Sequence, residues 1–238
     1  MTKPGGAVLF DLDGTLIDSA PDISDAVGQA FAECGLTPPG ESAVRGFIGD
    51  GAARLIHRAI TGCSSGEAEP AVFRKAYEWF LTYYERRLYR RSTVYPGVVE
   101  MLDQLYHGQW SLACITNKPE RFTVPLLRAA SLEKFFSVVV SRNSLAGRKP
   151  DSGPIIHACE RVRAPLDRAV MIGDSVTDHT AAKRAGVQSV FVSYGYAGKV
   201  DLAAHGADAM INTMSELPAI LSRMMSCQDN DGSLAGSS

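Results

Sequence analysis

Short apolar runs that stop abruptly in charge recur along the chain. Ala7 to Phe10 is the first; it is continuous rather than alternating, the pattern of a strand covered on both faces in a parallel sheet, and it ends at Asp11. Trp110 to Thr116, Phe136 to Val140, Ala169 to Ile172 and Ser189 to Val192 repeat the pattern, with Ala209 to Ile211 a weaker further candidate. Between them, Glu120 to Ala130, Pro154 to Arg161, Thr177 to Ala185 and Asp201 to His205 are long enough for crossover helices. Strand, helix, strand at this spacing predicts an α/β core: a doubly wound, mostly parallel Rossmann-like sheet with right-handed crossovers.

The stretch from Ser19 to Tyr95 breaks this rhythm. Ile23, Val27, Ala30 and Phe31 recur at helical spacing, as do Leu55, Ile56, Ala59 and Ile60, and Phe73 to Leu88 carries an aromatic-rich helical pattern with Trp79, Phe80, Tyr83 and Tyr84 as its packing face. The expected organisation is a core of residues 1–18 and 95–225 with a helical module, 19–94, inserted after the first strand. Such a module emerges at the strand's carboxyl end, over the crevice where open α/β sheets bind ligands, and is expected to act as a lid. Residues 226–238, rich in Ser, Gly, Asp and Asn, read as a disordered tail.

Composition narrows the function class. The 238 residues carry 24 Lys and Arg against 26 Asp and Glu, a net charge of -2, with 45% apolar residues. That balance supplies no basic excess for binding nucleic acid. No apolar stretch reaches the ~18 residues that span a bilayer, so no membrane association is expected. The 5 cysteines form no CxxC pair and no disulfide framework. A cytoplasmic enzyme acting on a small molecule, monomeric or homodimeric, fits these features.

The acids at the strand ends are the candidate chemistry. In Asp11-Leu12-Asp13-Gly14-Thr15, period-two alternation puts Asp11 and Asp13 on one side of an extended backbone. Gly173-Asp174-Ser175 follows another strand, with Asp178 one helical turn further on. Acids converging at one sheet edge repel unless a positive charge lies between them, and a hard cation such as Mg²⁺ with oxygen ligands meets that demand. Thr116-Asn117-Lys118 ends a third strand ahead of a helix start, where a hydroxyl and backbone amides can hold an anion. Each feature has an ordinary alternative: Asp-Gly as a turn, Ser175 and Asp178 as a helix cap, Thr116 as an N-cap, and Lys149, in the loop after Val140, as a surface charge.

Taken together in this order, the Asp-x-Asp-Gly-Thr start, Thr116, Lys149 and Gly-Asp-Ser-x-x-Asp resemble the four motifs of the haloacid dehalogenase-like hydrolases, and the insertion resembles the helical cap of one subclass. Gly49-Asp50-Gly51-Ala52, Tyr95-Pro96-Gly97-Val98, Thr116-Asn117-Lys118-Pro119 and Tyr194-Gly195-Tyr196 look like segments of the phosphoglycolate phosphatase group within it. The resemblance implies Mg²⁺-dependent hydrolysis of a small phosphate monoester through an aspartyl-phosphate. Asp11 would be nucleophile and metal ligand. Asp13 would be general acid and base, its carbonyl reaching the metal, with Thr15 supporting it. Thr116 and the Asn117 amide would bind phosphoryl oxygens, Lys149 would neutralise charge, and Asp174 would ligate the metal. Asp178 is expected to order Lys149 or a metal-bound water, with Gly173 and Ser175 supporting that loop. Gly49, Asp50, Arg45 and Arg54 are the candidate specificity residues of the cap.

One segment departs from the group. Where its members usually show Gly-Gly-Asp-(Thr or Ser)-Leu-Pro, this chain has Ser141-Arg142-Asn143-Ser144-Leu145-Ala146, which loses the acid and adds a cation, Arg142, beside it. The substrate therefore stays open among phosphoglycolate, another small sugar phosphate and pyrophosphate. A sugar phosphomutase or a non-catalytic binding protein on the same fold are the remaining readings.

Overall fold

A computed structural model describes residues 6–108, 110–144, 147–196 and 206–234, with side chains described to 226. Six strands form one sheet: β1 (Ala7–Phe10), β4 (Ser111–Ile115), β5 (Val138–Val140), β6 (Ala169–Gly173), β7 (Gln188–Val192) and β8 (Ala209–Ile211). Their order is β5-β4-β1-β6-β7-β8, and every neighbouring pair is parallel. The order reverses at β1, so β1 occupies the switch point at which such sheets open a crevice.

Each β1 residue is fully buried because the sheet is covered on both sides. Val8 and Phe10 join the apolar cluster formed with α5 (Val98–His107), α6 (Glu120–Ala129) and α9 (Leu217–Leu234), whereas Ala7 and Leu9 face α7 (Gly153–Val162) and α8 (Val176–Ala185). Register then levels the strand ends. Phe10 stands opposite Cys114 on one side and Ile172 on the other, so the next residues of all three strands emerge together at the carboxyl edge.

Between β1 and α5 lie four helices: α1 (Ala20–Cys34), α2 (Glu41–Phe47), α3 (Ala52–Thr61) and α4 (Pro70–Arg87). They share an apolar cluster of their own, in which Ile23, Val27 and Phe31 of α1 meet Leu55, Ile56, Phe80 and Tyr84. Phe122 of α6 joins this cluster from the core side. The entering and leaving chains pair as two short antiparallel strands, β2 (Ile17–Asp18) and β3 (Thr93–Val94), which the sequence pattern did not reveal because two-residue strands carry no periodicity.

Two expectations about the chain need revision or lie out of view. Residues expected as a disordered tail instead continue α9, which runs to Leu234. Leu217, Leu221 and Met225 anchor its start in the core, and Ser226 Oγ donates to the Ser222 carbonyl at 2.8 Å, so helix propagation carries through a polar stretch. The helix expected at Asp201 to His205 lies outside the described residues.

Candidate active site

Asp11 leaves the end of β1 with its amide donating to the Ile172 carbonyl at 2.9 Å, which directs its carboxylate over the sheet edge. Lys149 Nζ donates to Asp11 Oδ1 at 2.6 Å, to Asp178 Oδ1 at 2.6 Å and to the Ile115 carbonyl at 2.7 Å. All three ammonium protons are thereby used, and the side chain is buried. Burial pulls the Lys149 pKa down, but Asp11 and Asp178 outweigh it and the net shift is upward, so this lysine stays charged.

Asp178 serves two neighbours at once. Its Oδ2 accepts from the Ser175 amide at 3.2 Å and hydroxyl at 2.6 Å, closing the capping box of α8, while Oδ1 holds Lys149. One carboxylate thus caps α8 and meets Lys149. Gly173 permits this approach, since a Cβ there would lie 2.5 Å from the Asp178 side chain. Gly14, at φ +89°, is likewise obligatory: a Cβ would come within 2.3 Å of Asp174 Oδ2.

Oxygens of Asp11, Asp174 and Asp178 lie within 4.8 Å of one another, all buried. Burial, only partly offset by Lys149, pushes Asp11 up to about 7, with Asp178 and Asp13 adding to the rise. Burial, then the charges of Asp11 and Asp178, raise Asp174 well above the usual carboxylate range. A lone lysine thus leaves the cluster short of positive charge, and an all-carboxylate donor set of this kind suits a hard divalent cation.

Thr15 was expected beside Asp13, but its hydroxyl instead donates to Asp174 Oδ1 at 3.4 Å. Asp13 is held by Lys118 Nζ, at 2.9 and 3.0 Å to its two oxygens, and by Ser19 Oγ at 2.5 Å. Lys118 is a residue whose role sequence reasoning missed; it lay inside the Thr116-Asn117-Lys118 segment, yet nothing in the pattern distinguished it from a surface lysine. Thr116 Oγ1 accepts from the Lys118 amide at 3.2 Å. Asn117 Nδ2 bridges the Lys149 carbonyl at 2.9 Å and the Gly49 carbonyl at 3.0 Å, tying the α2–α3 loop to the sheet edge.

These groups open on a cleft between the helical module and the sheet. Asp11, Asp13, Thr116, Asn117 and Lys118 line its floor, and Ile23, Ile48, Leu55, Phe80, Tyr84 and Phe122 its walls, with Gly49 and Gly51 at the rim. The structure does not bring the cap arginines to it. Arg45 pairs with Asp18 through two contacts of 2.9 Å and with Glu41 at 3.2 Å, and Arg54 pairs with the exposed Glu67. Both were read as candidates because sequence cannot show which carboxylate an arginine meets first. Asp50 is engaged by Arg58 and, at 3.4 Å, by Thr177 Oγ1, while Arg142 Nη1 donates to the Asp50 carbonyl at 3.1 Å. Arg142, from the departing loop, is thus spent on the cap backbone; Leu145 and Ala146 of that loop lie outside the described residues.

Residues 8–192 match the family model for haloacid dehalogenase-like hydrolases. The chain belongs to that family. Within it, the chain is 39% identical over 220 residues to a phosphoglycolate phosphatase of Nitrosospira multiformis, covering 92% of this chain and 97% of the relative. It is also 39% identical to one of Chromobacterium violaceum, covering 89% and 94% respectively. Among solved structures, a predicted phosphoglycolate phosphatase from Haemophilus somnus superposes with a TM-score of 0.85 at 30% identity, covering 92% of this chain and 99% of that one. As a haloacid dehalogenase-like hydrolase the chain is an enzyme, a phosphatase acting on small phosphate esters through an aspartate nucleophile. No helix among the described residues is long and apolar enough to cross a membrane.

Proposed function

We propose that this hydrolase cleaves 2-phosphoglycolate to glycolate and phosphate with Mg²⁺, through an aspartyl-phosphate on Asp11. The observation that carries the reading is the convergence of Asp11, Lys149 and Asp174 beneath a cleft whose floor continues into Thr116 and Asn117. The relatives of that name support the substrate.

Asp11, Asp174 and the Asp13 carbonyl would hold the cation, which would supply the positive charge that lets a carboxylate approach a phosphate dianion. Thr116 Oγ1 and the Asn117 amide take phosphoryl oxygens, and Lys149 neutralises charge between phosphate and Asp11. Asp11 attacks phosphorus, and the P–O ester bond breaks as Asp13 delivers a proton to the leaving oxygen. Asp13 then takes a proton from the water that attacks phosphorus of the Asp11 acyl phosphate, breaking its P–O bond to regenerate the carboxylate and release phosphate. Residues 19–94 act as the lid: the Gly49 and Asp50 carbonyls, held by Asn117 and Arg142, seal the mouth, and water exclusion strengthens each charge contact inside.

The test is release of phosphate from a panel of small esters. Wild-type protein is expected to prefer 2-phosphoglycolate over sugar phosphates and pyrophosphate by kcat/KM, and to lose turnover on chelation and regain it with Mg²⁺. Asp11→Asn is expected to lower kcat by at least about 10³-fold with the fold intact by circular dichroism. Turnover by Asp11→Asn at the wild-type rate would overturn the nucleophile, and a better sugar phosphate would overturn the substrate.

A further inference from the structure

The walls of the cavity are apolar, and one cation stands at its floor beside Asp13. There, Lys118 is buried, with its ammonium 4.8 Å from the centre of the Tyr84 ring. Among the described residues that line the cavity, Lys118 is the sole cation. Arg45 and Arg54, candidate specificity residues of the cap, are engaged elsewhere.

Beside Lys118 lies the buried Tyr84 hydroxyl. It makes no hydrogen bond of good geometry, and its nearest polar neighbour is the Lys118 ammonium, which is already engaged by Asp13. A buried hydroxyl left unsatisfied costs free energy, and one that lines a ligand cavity is satisfied when a polar ligand atom arrives. Tyr84 comes from α4 and Lys118 from the start of α6, so the pair joins lid to core.

Position sets what would bind there. Lys118 Nζ touches both oxygens of Asp13, and Asp13 is the group that addresses the ester oxygen of the substrate. An anionic group in reach of Lys118 therefore lies one or two carbons from that oxygen. We propose that Lys118 and Tyr84 form the subsite for a carboxylate borne by the leaving group, making Lys118 the residue that selects short phospho-carboxylates over neutral esters of the same size. This rests on the phosphomonoesterase reading above and names the side chains that give it its substrate class.

The experiment compares full-length enzyme with Mg²⁺ on 2-phosphoglycolate and on ethyl phosphate, which lacks only the carboxylate. Wild type is expected to favour phosphoglycolate by about 10²-fold or more in kcat/KM. Lys118→Met is expected to cut that preference by about tenfold or more, mostly through KM for phosphoglycolate, and Tyr84→Phe to cut it by a smaller factor. Equal losses on both esters, or no loss of preference, would overturn the subsite and reduce Lys118 to a support for Asp13. Should Lys118→Met fail to fold, wild-type inhibition decides: 3-phosphonopropionate is expected to bind at least about tenfold tighter than propylphosphonate, and equal binding would overturn the proposal. Hydrolysis of neither ester by wild type would instead defeat the phosphatase reading itself, an outcome distinct from a lost preference.

Discussion

Asp22 and Asp178 show how much a single buried carboxylate can organise. Asp178 caps a helix with one oxygen and holds Lys149 with the other, so local structure and site geometry depend on the same atoms. Asp22, buried in the first turn of α1, accepts from the amides of Arg90, Arg91 and Ser92, each at 2.9 Å, and from the Ser92 hydroxyl. It thereby ties the start of the helical module to the chain leaving it. Asp22→Ala leaves three amides, that of buried Ser92 among them, without their acceptor and is expected to cost about 2–4 kcal/mol in urea unfolding. A cost under about 0.5 kcal/mol would show that water replaces the carboxylate.

At the scale of elements, the connection between module and core is reinforced by Tyr196. Its hydroxyl accepts from the amides of Ser19 and Ala20 at 2.7 and 3.0 Å and donates to Asp18 Oδ1 at 2.9 Å, capping α1, whose own N-cap Ser19 makes no side-chain cap bond. Its amide donates to Asp174 Oδ2 at 2.6 Å. One residue from the loop after β7 thus links Asp174 to the start of α1. Removing the hydroxyl by Tyr196→Phe frees two orphan amides of α1, and kcat/KM is expected to fall about tenfold with stability lowered by about 1 kcal/mol. An unchanged kcat/KM would separate this link from catalysis.

For the whole molecule, the decisive feature is that loops from four distant segments meet at one edge, and their acids repel. Asp11, raised to about 7 from 3.8, keeps its proton in the native state over a range where the unfolded chain has lost it. In metal-free protein this contribution to stability is complete below about pH 4 and declines as pH rises toward about 7. A cation needs the deprotonated carboxylates, so its stabilisation grows over the same interval. Mg²⁺ is therefore expected to raise Tm by several degrees at about pH 8 and by little at about pH 5, read by scanning calorimetry. An equal rise at both values would place the ion away from Asp11.

Much of this was legible from the chain alone. The continuous apolar runs located all six strands of the sheet, Asp11 and Asp174 stood out as charges following buried strands, and Lys149, a surface charge by itself, gained weight only beside the other motifs. Short-range pattern determines which segments bury, and hence which residues end at the sheet edge. What tertiary structure alone decided was partnership: that Arg45 answers Asp18 and Arg54 answers Glu67, that Lys118 turns inward against Asp13 and Tyr84, and that Thr15 supports Asp174. Those contacts join residues up to 159 positions apart, and pairing over such a separation is set by how helices and strands pack, which no local periodicity encodes.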